Sequence, residues 1–371
     1  LGETRKIDLG KPPSYYYQPL WSPDSKKIAY TDKRLKLWFV DLESGERFEI
    51  DANTYDSPFH TLNPDWSPDS RWLTYTKQLP SHLHAVFLYS LETGENHQVS
   101  DGMSDARFSV FDRGGKHLYF TASTDVGPTT GWLDMSSVNR PVSRSVYVVV
   151  LSKDDPSPLA PESDEESVQE EGAEGEEEET DADEAEPKED TVDVHIDIEA
   201  IDQRILALPV PAKNYTAMSA GKSGNMYLLE APLVIAEPAT QTLHLFEMEE
   251  RKAKVVLEGI DAFVISHDGE KMLYLQQKQW VIAEAGQKPE PGKGQLGLDK
   301  MVVRVDPREE WKQMYHETWR IERDFLYDPG AHGLDLAQAE KQYEPYVKRR
   351  GRRDDLHYLF REMLGNLVVG H

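Results

Sequence analysis

One short segment recurs along the chain at a nearly fixed interval, and this repeat constrains the fold more than any other feature. Pro19-Leu20-Trp21-Ser22-Pro23-Asp24-Ser25-Lys26-Lys27-Ile28-Ala29-Tyr30 returns as Pro64-Asp65-Trp66-Ser67-Pro68-Asp69-Ser70-Arg71-Trp72-Leu73-Thr74-Tyr75. It returns again, more loosely, from Arg107-Phe108-Ser109-Val110-Phe111 through Asp112-Arg113-Gly114-Gly115 to Leu118-Tyr119-Phe120. Ile28, Leu73 and Leu118 stand 45 residues apart in turn. Two weaker copies, 219–229 anchored at Met226 and 262–272 anchored at Met272, are 46 apart. A period of this size marks a supersecondary unit that cannot bury both faces alone and must stack against its neighbours.

Within a unit the pattern reads as four short strands. The first ends in Ser-Pro-Asp-Ser or Asp-Arg-Gly-Gly, where Pro presets φ and Asp or Gly tolerates the positions that follow. The alternating stretch 27–30 is the second strand and 35–40 the third; after the turn Ser44-Gly45-Glu46 comes a fourth at 47–50. Segments 86–90, 93–95 and 97–100 repeat this order. Four strands per unit predict the blade of a β-propeller. The fold class expected is therefore mainly β: about five four-stranded blades of a seven-bladed ring over 1–305, then a small all-α segment over 306–371. Residues 5–9 read as the last strand of a preceding blade, which predicts one or two further blades ahead of it. Trp21 and Trp66 are expected in the core rather than as ligand platforms.

The interval from Leu118 to Met226 is 108 residues, too long for one unit. An insertion explains the excess. Residues 162–190 hold 17 Asp/Glu against one Lys, so most of the formal charge of -26 belongs to this segment. Such a run repels itself and has almost no apolar residues, so the insertion near 155–195 is expected to be a disordered, solvated loop, with a tail for a basic partner as the alternative. It falls between 147–151 and 205–209, the turn between third and fourth strands. Outside it, Lys and Arg are not clustered as phosphate contacts require, so no nucleic-acid partner is expected. No apolar run approaches a membrane span, and no membrane association is expected. The chain has no Cys, which excludes disulfides, thiolate metal sites and a cysteine nucleophile within it.

After residue 305 the pattern becomes helical. Asp306, Pro307 and Glu309 read as an N-cap, an N1 proline and a first-turn carboxylate. Trp311, Met314, Tyr315, Thr318, Phe325 and Leu326 fall on one face. A second helix starts at Asp335 and carries Leu336, Ala339, Tyr343 and Val347. A third starts near Asp354 with Leu356, Leu359, Phe360, Met363 and Leu364, and Gly365 closes it. Leu367-Val368-Val369 reads as the start of a strand, followed by Gly370 and His371.

The Trp-Ser-Pro-Asp-Ser repeat resembles the WD40-like motif found in TolB, in prolyl oligopeptidase-type enzymes and in tricorn proteases. The resemblance becomes specific at the C-terminal end. The stretch from Trp311-Lys312-Gln313-Met314-Tyr315-His316-Glu317-Thr318-Trp319-Arg320 to Asp324-Phe325-Leu326-Tyr327-Asp328-Pro329 is similar to the first catalytic subdomain of tricorn proteases, serine peptidases of the S41 type. So are Tyr343-Glu344-Pro345-Tyr346 and Arg353-Asp354-Asp355-Leu356 leading to Met363-Leu364-Gly365-Asn366-Leu367-Val368-Val369-Gly370-His371. In the propeller, Asp202-Gln203-Arg204-Ile205-Leu206-Ala207-Leu208-Pro209 after an acidic insertion resembles bacterial members. The resemblance implies that His371 is the catalytic histidine. It also implies peptide substrates, a propeller acting as channel or sieve, and a large homo-oligomer of hexamer type. The compartment implied is the cytoplasm, with the periplasm as the alternative. Asn366 stands where Glu is more usual, and Gly370 where the archaeal enzyme has a serine.

A serine peptidase needs a nucleophile, a general base, an orienting acid and an oxyanion hole. Imidazole suits the base because its pKa lies near neutrality. The nucleophile and acid are expected beyond these 371 residues, so the chain alone is expected to be inactive. There is no Gly-x-Ser-x-Gly elbow. Gly221-Lys222-Ser223 mimics the end of a phosphate-binding loop, but Thr216 stands where the first Gly is needed. His82 and His84 lack an evident third ligand, so no metal site and no cofactor are expected. Two other functions remain open on the repeats alone: a non-enzymatic TolB-like interaction module, and the propeller of a prolyl oligopeptidase-type hydrolase.

Overall fold

The computed structural model describes residues 4–10, 14–54, 62–124, 142–161, 192–232, 240–348 and 352–369. The chain divides into two compact units, Tyr16–Leu296 and Leu1–Tyr15 with Gly297–His371.

In the larger unit the repeats become antiparallel sheets whose strands follow chain order. The first sheet holds β1 (Tyr16–Trp21), β2 (Lys27–Asp32), β3 (Lys36–Asp41) and β4 (Arg47–Ala52). The second holds β5 (Asp65–Trp66), β6 (Trp72–Gln78), β7 (His84–Ser90) and β8 (Asn96–Gln98). The third holds β9 (Asp105–Phe111), β10 (His117–Ser123), β11 (Ser145–Val150) and β12 (Ile205–Ala207). The fourth is six-stranded: β13 (Tyr215–Ala220), β14 (Asn225–Glu230), β15 (Gln241–Glu247), β16 (Lys252–Ile265), β17 (Lys271–Gln276) and β18 (Gln279–Glu284).

The repeated turn is held by its own side chains. Ser22 Oγ donates to Asp24 at 2.5 Å and accepts from the Lys27 amide at 2.9 Å. Ser67 with Asp69 and Trp72, and Ser266 with Asp268 and Lys271, repeat both bonds. The fourth position of every copy is left-handed, at Ser25, Ser70, Gly115, Gly224 and Gly269, with φ between 57° and 76°. That conformation is why small residues or glycine recur there.

Stacking follows the same period. Asp24 N to Ser70 Oγ, Trp66 Nε1 to the Leu20 carbonyl, Asn96 Nδ2 to the Ile50 carbonyl and Phe111 N to Asp65 Oδ2 are bonds of 2.8–3.1 Å, each spanning 46 residues. The apolar cores lie between successive units rather than inside them. Ala29, Leu37 and Phe39 meet Trp66, Leu73 and Tyr75. Leu88 and Val99 meet Phe111, Leu118 and Phe120. Tyr119, Val146 and Val148 meet Tyr215, Met226 and Phe246. Leu229, Leu243 and Leu245 meet Ile260, Met272 and Tyr274. The fold is thus a mainly β propeller.

Three expectations are corrected. The blade count is four, not five, because the last two repeat units share one strand. Residues 99–104 loop between the second and third blades. The Lys252–Ile260 half of β16, by contrast, pairs with β15 and runs straight on to pair with β17 through Ile265. Trp66 is 5% exposed but Trp21 is 57% exposed. The first blade covers Trp66, whereas no described segment lies over the corresponding face of Trp21. Residues 5–9 form no strand, and their segment belongs to the helical unit.

The insertion leaves the third blade between β11 and β12, which pair through Tyr147–Ala207, Val148–Leu206 and Val149–Ile205. Its expected disorder over 162–191 lies outside the described residues. The described residues that flank it bond to the second and third blades. The Asp197 amide donates to Leu151 O at 3.0 Å, Val194 and Ile201 are buried, and Arg71 pairs with Asp193.

In the smaller unit, α1 (Pro307–Phe325) starts where its caps direct, with Asp306 accepting from Arg308 N at 3.0 Å. Asp335 caps α2 (Leu336–Val347) through Gln338 N, and α3 (Arg353–Leu364) follows. Tyr315, Trp319, Ala339, Val347, Leu356, Leu359 and Met363 form its core. Tyr15 packs against α1, with Arg320 4.5 Å above its ring and Phe325 beside it. Among the described residues no helix is long and apolar enough to cross a membrane.

Candidate functional site

His371 lies outside the described residues; the structure shows what leads to it. After α3 the chain tightens into a 3-10 turn, Gly365–Leu367, which buries Leu367. Asn366 Nδ2 donates to Tyr343 OH at 2.9 Å and to the Glu362 and Met363 carbonyls at 3.1 Å, so the amide closes the end of α3. His332 Nδ1 lies 2.8 Å from the Leu367 carbonyl and its Nε2 lies 2.5 Å from Tyr327 OH. A carbonyl only accepts, so Nδ1 donates to it. The loop carrying His332 is held by Asp328, which accepts from the His332 and Gly330 amides; those two bonds hold its carboxyl below the ordinary range. The expected strand at 367–369 is not formed. Val368 is left-handed at φ 54°, and Val368 and Val369 are exposed. These hydrogen bonds hold the backbone at the end of α3.

A second site lies where the first strands of four repeat units converge. Residues 18–20, 63–65, 108–110 and 216–220, together with Arg113, line a cavity of about 470 Å³. Gln18, Asn63 and Phe108 occupy the same repeat position and are all left-handed, at φ 51°, 45° and 59°. Register shifts accompany this position in β1 and β9. Burial pushes the Asp65 carboxyl up to about 6, against the Phe111 amide it accepts from and the nearby charge of Arg113. Arg113 Nη2 donates to the Ser266 carbonyl at 2.8 Å, joining the third repeat unit to the fifth. Sequence reading missed this site. The aligned repeats place Gln18, Asn63 and Phe108 in one column, but their types share nothing that signals a common backbone.

A third cluster is buried between the second and third blades. Asp105 bonds His84 Nδ1 at 2.7 Å and Arg144 Nη2 at 2.6 Å, with Arg107 Nε at 3.3 Å. Burial alone would raise its carboxyl, but the His84 bond and the two arginines outweigh that and hold it far below the ordinary range. His84 is therefore partnered within the fold, and His82 sits in the preceding turn. Among the described residues no three His, Asp or Glu side chains gather as a metal site. The stretch 221–224 is the repeat turn of its unit, with Asn225 N donating to Lys222 O and Lys222 paired to Glu270, not a phosphate cradle.

The architecture defines a β-propeller protein with an appended helical domain. A sequence profile of the tricorn protease second beta propeller domain matches residues 5–286, and one of the tricorn protease C1 domain matches 307–365. The chain belongs to the tricorn protease family. It is 28% identical over 287 residues to tricorn protease homolog 2 of Streptomyces coelicolor, covering 74% of this chain and 23% of that protein. It is 24% identical over 363 residues to the tricorn protease of Thermoplasma volcanium, covering 94% and 32%. The crystal structure of the tricorn protease superposes with a TM-score of 0.75 at 18% identity, covering 96% of this chain and 33% of that one, which supports the fold. The chain thus spans about a quarter to a third of the length of these relatives.

Proposed function

We propose that this chain is the propeller and first catalytic subdomain of a tricorn-type serine peptidase of the S41 kind. In this reading the propeller cavity admits short peptides and His371 acts as the general base. The observation that carries it is the order of two matched domains in one polypeptide, propeller followed by C1. An imidazole near neutrality takes the proton of an attacking serine and returns it to the leaving amine. The turn held by Asn366 and His332 fixes the backbone at Gly365–Leu367, four residues ahead of His371 in sequence at the nearest. The serine and the orienting acid come from polypeptide other than these 371 residues. The complete enzyme works as a homo-oligomer of hexamer type in the cytoplasm. The consecutive helices α1–α3 favour this reading over a prolyl oligopeptidase-type hydrolase, which needs a strand, an elbow and a helix after the propeller.

Short fluorogenic peptides offered to the 371-residue chain and to the complete product of its gene test the proposal. Turnover by the complete product alone is expected. Turnover by the 371-residue chain would place a working nucleophile inside it and refute the division described. No turnover by either would remove the peptidase reading.

A further inference from the structure

We infer that residues 301–305 are an unpaired β-strand that adds to an open sheet edge in the remainder of the complete polypeptide. The inference rests on the reading that the serine and the acid come from polypeptide other than these 371 residues, and it names a surface which that polypeptide meets. Met301, Val302, Val303 and Val305 are 71%, 88%, 77% and 52% exposed, and Arg304 among them is exposed as well. Neighbouring side chains of an extended segment point opposite ways, so both of its faces carry apolar groups into water. The backbone is extended at each end, with φ -78° and ψ 114° at Met301 and φ -91° and ψ 109° at Asp306. The amides of 302–305 make no backbone bond among the described residues.

Composition sets this stretch apart from a spacer. Residues 286–297, just ahead of it, hold four Gly and two Pro, the chemistry of turns and linkers. Residues 301–305 hold three Val, a side chain that fits a pleated, half-buried surface. An exposed apolar strand recruits other strands, and folded proteins cover such segments or break them with charge. Arg304 is the only charge here.

Size decides the partner. Five extended residues span about 17 Å, too little for the roughly 1,000 Å² that a stable interface between separate chains buries. A tethered sheet edge needs no such area, because the polypeptide keeps it at high local concentration. The chain spans about a quarter to a third of its relatives, so most of such a polypeptide lies outside it. Main-chain hydrogen bonds to the edge replace water at the amides, and the alternating side chains settle against the neighbouring strand.

The test is amide hydrogen exchange, resolved at single residues, in the complete gene product and in the 371-residue chain. Alternate amides, Val302 with Arg304 or Val303 with Val305, are expected to be protected at least about a hundredfold in the complete product and unprotected in the 371-residue chain. Val302→Pro and Val303→Pro in the complete product separate pairing from burial, because only one of these two amides faces the edge. One variant is expected to lose about tenfold or more of the remaining protection and the other to keep it. Equal effects of the two prolines overturn pairing at an edge. Free exchange in the complete product overturns the inference, and peptide turnover in the same preparation then leaves the peptidase reading standing. Protection without turnover supports the strand and removes the peptidase reading. Protection already present in the 371-residue chain and rising with its concentration assigns the strand to a second copy and overturns the choice of partner.

Discussion

Asp105 is buried among His84, Arg107 and Arg144, so its removal strands cations rather than a single hydrogen bond. Asp105→Asn is expected to destabilise the propeller by about 3–5 kcal/mol, read from urea unfolding. Because its folded carboxyl is held below the unfolded value, this margin is fully present above about pH 4 and is lost as pH falls further. Asp65 has the opposite sign. Its folded value of about 6 lies above the unfolded one, so the ionised group penalises the fold above that pH and the penalty fades on acidification. Asp65→Asn is expected to stabilise the propeller at pH 8 by on the order of 2 kcal/mol, and the gain should vanish near pH 4 in parallel melting curves. An Asn variant no more stable than wild type at pH 8 would contradict the burial argument. Neither site was legible in the sequence. His84, Asp105 and Arg144 stand 21 and 39 residues apart and share no repeat position, so only the stacked blades bring them together.

At the scale of elements, local chemistry fixed most boundaries. The Ser-Pro-Asp-Ser turns and the Asp306 and Asp335 caps stand where the residue types require. Asp306→Ala is expected to cost the helical unit about 1 kcal/mol in thermal unfolding. Gly269 turns with φ 72°, and a Cβ there would meet the Lys222 amide nitrogen at 2.9 Å and Gly221 carbonyl carbon at 3.0 Å. Gly269→Ala is therefore expected to destabilise the last repeat unit by about 1–3 kcal/mol, seen as faster amide exchange in β17. Reading failed where pattern alone was the guide. Leu367, Val368 and Val369 look like a strand because all three are apolar, yet only Leu367 is buried and the backbone reverses at Val368. Trp21 and Trp66 share a motif, but burial depends on the neighbour that stacks on each.

For the whole molecule, the repeat specified stacking better than it specified sheets. Its period reappears in bonds that span 46 residues, whereas the continuity of β16 fused two units that the count had separated. The flanks of the acidic insertion are bonded to the third blade through Asp197 and Arg204 and to the second through Val194, whose amide donates to Asp69. Replacing 162–191 with a flexible linker long enough to join those flanks is accordingly expected to shift unfolding by less than about 1 kcal/mol. A larger loss would show that the segment contributes to the core. The central claim, that this propeller serves a peptidase whose base is His371, is tested most directly by His371→Gln in the complete gene product. Turnover of short peptides should fall at least about a hundredfold while their binding to the propeller is unchanged. Turnover within twofold of wild type would show that the base lies elsewhere.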